Sequence, residues 1–153
     1  MMEIIMIPAE RRWDYRDLLL LADPEEQAIG KYLDESEMYV LMEDGRAVCE
    51  AVVREGSDGE CELMNLATCE DAQGRGHASR LVRFLGEKYS ERCRSMLVGT
   101  SEDGRGFYRK LGFEDAFVRE RFFINNYETE IIENGRRCVD MYCLRMNLGG
   151  NGK

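Results

Sequence analysis

The sequence predicts an α/β fold of the α+β kind: a mixed, mostly antiparallel sheet of about six to seven strands, flanked by about four helices. Three observations carry this. Residues 38–43, 46–54 and 60–68 are apolar-rich runs separated only by turn residues, Asp44-Gly45 and Gly56-Ser57-Asp58-Gly59, so they read as an antiparallel meander. A helical pattern follows, with Ala78, Leu81, Val82, Leu85 and Tyr89 on one face, and after it the apolar run Ser95-Met96-Leu97-Val98-Gly99. Strand, helix and strand in that order call for a right-handed crossover and one locally parallel pair. With 153 residues, 44% of them hydrophobic, the chain can bury one sizeable core, read as a single domain over residues 1–148.

Taken in order, Glu3-Ile4-Ile5-Met6-Ile7 is a short apolar run that stops at Pro8, a first strand. Residues 14–22 hold Leu18-Leu19-Leu20-Leu21 beside Trp13 and Tyr15, a helix with a broad buried face. Asp23 suits an N-cap and Pro24 the first position of a second helix, which carries Ala28, Ile29, Tyr32 and Leu33 on one side. Beyond the run at 95–99, residues 104–111 read as a short helix, and 113–124 and 137–146 as strands joined across Glu133-Asn134-Gly135. Gly149-Gly150-Asn151-Gly152-Lys153 reads as a flexible tail.

Composition removes several classes of function. A net charge of −9 disfavours nucleic acid, whose phosphates need a basic face. It suits attraction of a cationic amine, or simply solubility. The six cysteines form no C-x-x-C pair, and the lone His77 gives them no metal-binding company. Free thiols in a reducing cytoplasm are the expectation, with no metal. Neither a signal peptide nor a membrane-spanning run stands out.

The loop between meander and helix reads Gln73-Gly74-Arg75-Gly76-His77-Ala78. Glycines at a helix start let several N–H groups converge, and the helix dipole adds positive potential, which makes an anion seat. The loop lacks the Lys-Ser/Thr ending of a P-loop and the three glycines of a dinucleotide fingerprint. It resembles the Q/R-x-x-G-x-G/A motif of the GCN5-related N-acetyltransferases, the GNAT family. Further on, Gly106-Phe107-Tyr108-Arg109-Lys110-Leu111-Gly112-Phe113 resembles the family's F-Y-x-K-L-G-F signature. The two motifs stand in family order with one strand between them, and the resemblance covers residues 3–148.

The resemblance implies a GNAT fold whose strand at 60–68 splays from the strand after the central helix. Acetyl-coenzyme A would then lie in the gap, its pyrophosphate on the amides of Gln73, Gly74, Arg75, Gly76, His77 and Ala78. Its pantetheine would follow the backbone at Leu66, Ala67 and Thr68. Tyr108 matches the general acid that protonates the leaving thiolate. Glu62 matches the general base of the histone acetyltransferase branch, and a solvent-facing or salt-bridged strand carboxylate is its other reading. Strand alternation puts Glu62, Met64, Leu66 and Thr68 on one face. The two early helices form one wall of the acceptor pocket in the family, and Phe122, Tyr127 and Asp140 are further candidates to line it. One departure concerns Gly99-Thr100-Ser101-Glu102-Asp103-Gly104-Arg105, which lacks the cofactor-contacting asparagine of many relatives.

The activity implied is direct attack of a small-molecule or peptide amine on the thioester in a ternary complex, by a monomer or homodimer. Cys69 has no histidine partner to make it a nucleophile in that scheme. A non-catalytic coenzyme A-binding sensor or regulatory module is the alternative, and a nucleotide-binding domain a third reading. Thiol release across a panel of amines separates the first two.

Overall fold

A computed structural model describes residues 1–149. Residues 150–153, most of the stretch read as a tail, lie outside the described part. In chain order the strands are β1 (Met2–Ile7), β2 (Glu37–Glu43), β3 (Arg46–Glu55), β4 (Glu60–Thr68), β5 (Ser95–Thr100), β6 (Glu114–Arg119), β7 (Ile132–Glu133), β8 (Arg136–Arg137) and β9 (Met141–Asn147). The helices are α1 (Arg16–Ala22), α2 (Glu26–Gly30), α3 (His77–Tyr89), α4 (Arg105–Lys110) and α5 (Phe122–Asn125). Seven strands form one sheet in the order β1-β2-β3-β4-β5-β9-β6, while β7 and β8 make a separate pair.

The meander follows from its turns. Asp44 and Gly45 take φ of 52° and 81°, the double positive value that a type I′ hairpin turn requires, and β2 pairs antiparallel with β3 across them. The next turn returns β4 antiparallel to β3. Helix α3 then carries the chain over the sheet, so that β5 returns parallel to β4. That pairing runs only from Glu60↔Ser95 to Leu63↔Val98, although both strands continue. Beyond Leu63 the two strands splay, and β9 occupies the far side of β5.

Both faces of the sheet are covered. On one, Leu81, Val82, Leu85 and Tyr89 of α3 pack on Val53, Leu63 and Met96. On the other, Leu19, Ile29 and Leu33 pack on Met38, Val40 and Val52. Each such large apolar side chain, fully buried, contributes roughly 1.5–3 kcal/mol. Arg12, itself buried, ties the two early segments together by donating to the carbonyls of Ile7 and Leu33.

Four local expectations are corrected. Residues Ala9–Tyr15 form a 3-10 helix, so α1 starts at Arg16 and not at Asp14 as expected. Asp23 caps nothing: α2 begins at Glu26 with Glu25 before it, and the Asp23 N–H closes α1 on the Leu19 carbonyl. The run 113–124 is not one strand, because Arg121 adopts φ 56° and turns Phe122 into a short helix. Finally, Asn134-Gly135 joins the small β7–β8 pair rather than the long strands, which still pair antiparallel as β6 and β9.

Candidate active site

The splay of β4 from β5 makes a cleft of about 370 Å³. Leu63, Met64, Asn65 and Leu66 line one wall, Val98, Gly99, Thr100 and Ser101 the other, and Tyr108 of α4 faces the gap. Past Leu63 the edge of β4 turned to β5 has no strand partner, which leaves its outward N–H and C=O groups free to bind an extended ligand.

A bulge shapes β4. Val53 pairs with Leu63 and Val52 with Asn65, so Met64 is an extra residue on this strand. Strict alternation therefore fails, and Glu62, Met64, Leu66 and Thr68 do not share a face. Met64 packs with the α1–α2 cluster, whereas Leu66 packs with the α3 cluster. The Thr68 hydroxyl lies against the Cys49 sulfur, also on the α3 side. Ala67 is buried opposite Glu50.

Beyond the end of β4 the glycine loop leads into α3. Gly74 and Gly76 take φ of 80° and 84°, values open to glycine, and a β-carbon at either would meet nothing within 4 Å. No side chain caps α3. None of the backbone N–H groups from Gly74 to Ser79 donates a bond among the described residues. The loop is thus a concave set of unclaimed donors at the positive end of a 13-residue helix, which fits a pyrophosphate. Gln73 braces it by donating to the Thr68 carbonyl, and Arg75 pairs with Glu43 at 3.0 Å. His77 is buried beneath, and Ala78 packs against the core.

Tyr108 is half-buried, its ring edge-on to Phe113 at 5.5 Å and to Phe107 at 5.0 Å. Burial, with the nearby Glu50 and Cys49, pushes the pKa of its hydroxyl up, so the group is protonated at neutral pH. Gly99 is a glycine for reasons of space, since a β-carbon there would overlap the Met141 sulfur. In the segment without the family asparagine, the Ser101 hydroxyl donates to Glu133 at 2.6 Å.

A second pocket of about 240 Å³ adjoins the cleft. Phe122 and Tyr127 line it, as the sequence suggested, together with Tyr32 and Glu62. Glu62 is held by Arg119 at 3.2 Å and Arg54 at 3.9 Å. Asp140 lies elsewhere, in a depression with Glu102, Asp103 and Arg136, where it accepts from the Arg121 N–H. Sequence reading missed Asp23, Tyr32 and Asn65 as a linked polar group beside both cavities. The Asp23-Pro24 pair offered only a capping signal, and nothing local pointed to the tyrosine partners.

Known proteins share this arrangement. A family model described as an acetyltransferase (GNAT) domain matches residues 34–115. The uncharacterised N-acetyltransferase YvbK of Bacillus subtilis is 31% identical over 86% of this chain and 88% of its own length. The chain belongs to the GNAT family of acetyltransferases. Solved GNAT relatives superpose closely. An acetyltransferase from Elizabethkingia anophelis with acetyl-CoA bound matches at TM-score 0.89 and 31% identity, covering 95% of this chain and 97% of that one. An IAA acetyltransferase from Bacillus cereus matches at TM-score 0.90 and 34% identity, covering 96% and 99%. The mostly antiparallel sheet with its single splayed parallel pair is the GNAT fold. Among the described residues no helix is long and apolar enough to cross a membrane.

Proposed function

We propose that this GNAT protein transfers an acetyl group from acetyl-coenzyme A to a primary amine, by direct attack in a ternary complex within the domain spanning residues 1–148. The observation that carries this is the cleft itself. The free backbone edge of β4 borders a cleft that also holds a protonated tyrosine, and β4 leads through the glycine loop to the uncapped start of α3. When bound, the coenzyme supplies the thioester, an acyl group already activated toward nitrogen nucleophiles.

The chain's own groups have separate tasks. The N–H groups of residues 74–79 hold the pyrophosphate. Free N–H groups of β4 near Leu66, Ala67 and Thr68 align the pantetheine and polarise the carbonyl oxygen. Tyr108 donates its proton to the departing sulfur. A catalytic reading is favoured over a coenzyme-binding sensor because Tyr108 lines the cleft and no bond among the described residues holds its hydroxyl.

The test is thiol release from acetyl-coenzyme A across a panel of amines, with Tyr108→Phe alongside. The variant keeps the ring and its packing, so stability and coenzyme affinity stay near wild type. Its kcat falls by roughly ten- to ten-thousand-fold, a range that brackets the usual worth of a positioned proton donor. The loss shrinks with an acyl donor whose thiol is more acidic. Wild-type kcat in the folded variant would remove Tyr108 from the mechanism, and the absence of turnover with every amine would favour the sensor.

A further inference from the structure

The cleft and the second pocket meet at the bulge of β4. Leu63, Met64, Gly99, Tyr127 and Met141 line both, and so does Asp23. Among the described residues Asp23 is the one charged side chain common to the two linings. It stands where an acceptor in the pocket would reach toward an acyl group in the cleft.

Its surroundings are unusual for a carboxylate. Asp23 is only 7% exposed. Tyr127 donates to Oδ1 at 2.7 Å and Tyr32 to Oδ2 at 2.9 Å. The Asn65 amide in turn donates to the Tyr32 oxygen and to the Leu19 carbonyl, both at 3.1 Å, which fixes the assembly to β4 and α1. These side-chain donors are neutral, and among the described residues no guanidinium or ammonium pairs with Asp23. Hydroxyl donors orient the two oxygens but leave the charge uncompensated, and an uncompensated buried charge is costly. Glu62, by contrast, already has two guanidinium partners.

Resting on the acetyl-transfer reading above, we propose that Asp23 binds the acceptor's ammonium group and takes its proton, so that the acceptor is a primary amine entering as a cation. The ammonium N–H bond breaks and its proton passes to the Asp23 carboxylate. The freed lone pair forms the C–N bond at the thioester carbon. The C–S electron pair goes to sulfur, which receives the Tyr108 proton, and the second proton shed by nitrogen restores the Tyr108 hydroxyl. Burial raises the Asp23 pKa, while the bonds from Tyr127, Tyr32 and the Glu25 backbone N–H pull it back part of the way. The net upward shift makes it a better proton acceptor than an exposed aspartate. The other charged groups near it are Glu25, next but one in the chain, Lys31, Arg54, Glu62 and Arg119, which line the same pocket, and Glu133, which lines the cleft with it.

Asp23→Asn, nearly isosteric, tests the assignment in protein saturated with coenzyme A. Putrescine and tyramine raise the melting temperature of the wild type and not of the variant. In acetyl transfer the variant loses roughly a hundredfold or more in kcat/KM for these cationic amines, on the scale of a lost general base. It loses less than about tenfold for a hydrazide, which is already neutral at the assay pH. Equal losses for both acceptor types would mark Asp23 as structural and overturn the proposal, as would no loss at all. Amine binding that depends on Asp23 without any wild-type turnover would sink the transfer reading and uphold the ammonium site. Coenzyme binding with no amine binding and no turnover would overturn both. Where Asp23→Asn does not fold, Tyr127→Phe leaves the carboxylate but removes a bond that favours its charged form. The acid limb of kcat/KM, or of amine binding, then moves to higher pH, and an unmoved limb overturns the proposal.

Discussion

Glu50→Gln probes a carboxyl group with no counterpart in the proposed chemistry. Glu50 sits mid-strand in β3, between Val40 and Ala67, with 0% exposure. Among the described residues neither of its carboxyl oxygens has a hydrogen-bond partner. Burial therefore raises its pKa well above the ordinary 4.5. The folded state holds the proton more tightly than the unfolded state. Stability is full below pH 4.5 and falls as pH climbs through the window between that value and the raised folded one. The slope in this window is about 1.4 kcal/mol per pH unit. Glutamine cannot ionise and removes this slope. Urea unfolding of wild type and variant at several pH values from 4.5 to 6.5 should show a gap that widens with pH in the variant's favour. Each pH unit crossed within the window should widen the difference in melting temperature by roughly 3–6 °C for a chain of this size. Any cost of burying the amide is the same at every pH and drops out of the slope. A gap that stays constant with pH would refute the reasoning, because it would mean that Glu50 ionises alike in both states.

Two further predictions concern the site. Gly76→Asp puts a carboxylate at the anion seat and a β-carbon at φ 84°. The apo protein should stay folded at a cost of about 1–2 kcal/mol, but coenzyme A should no longer raise its melting temperature; an unchanged shift would place the coenzyme elsewhere. Glu62→Gln frees Arg119 and Arg54 from their shared partner. It should raise the acceptor KM and lower kcat by less than about tenfold; a loss of more than about a hundredfold at limiting acceptor would return the role of general base to Glu62.

What the sequence by itself determined is local. Asp44-Gly45 specified its hairpin because few other residue pairs accept two successive positive φ values. The spacing of Leu81, Val82, Leu85 and Tyr89 specified α3 and its buried face, because a helix period and a single core leave no other arrangement. Gly74 and Gly76 announced the donor-lined loop for the same backbone reason. The residues around Tyr108 were legible as a motif, and the structure adds the cleft they face. The tertiary structure alone decided the rest. Met64 bulges because β4 must match β3 along its whole length, a condition on the pair and not on either strand, and this reverses which face Leu66 presents. Asp23 looked like a cap because its local sequence favours one, yet its partner Tyr127 lies 104 residues away. Backbone preferences act over a few residues and can be read along the chain. A buried carboxylate takes its meaning from groups that only the folded sheet and the long β6–β9 connection bring to it.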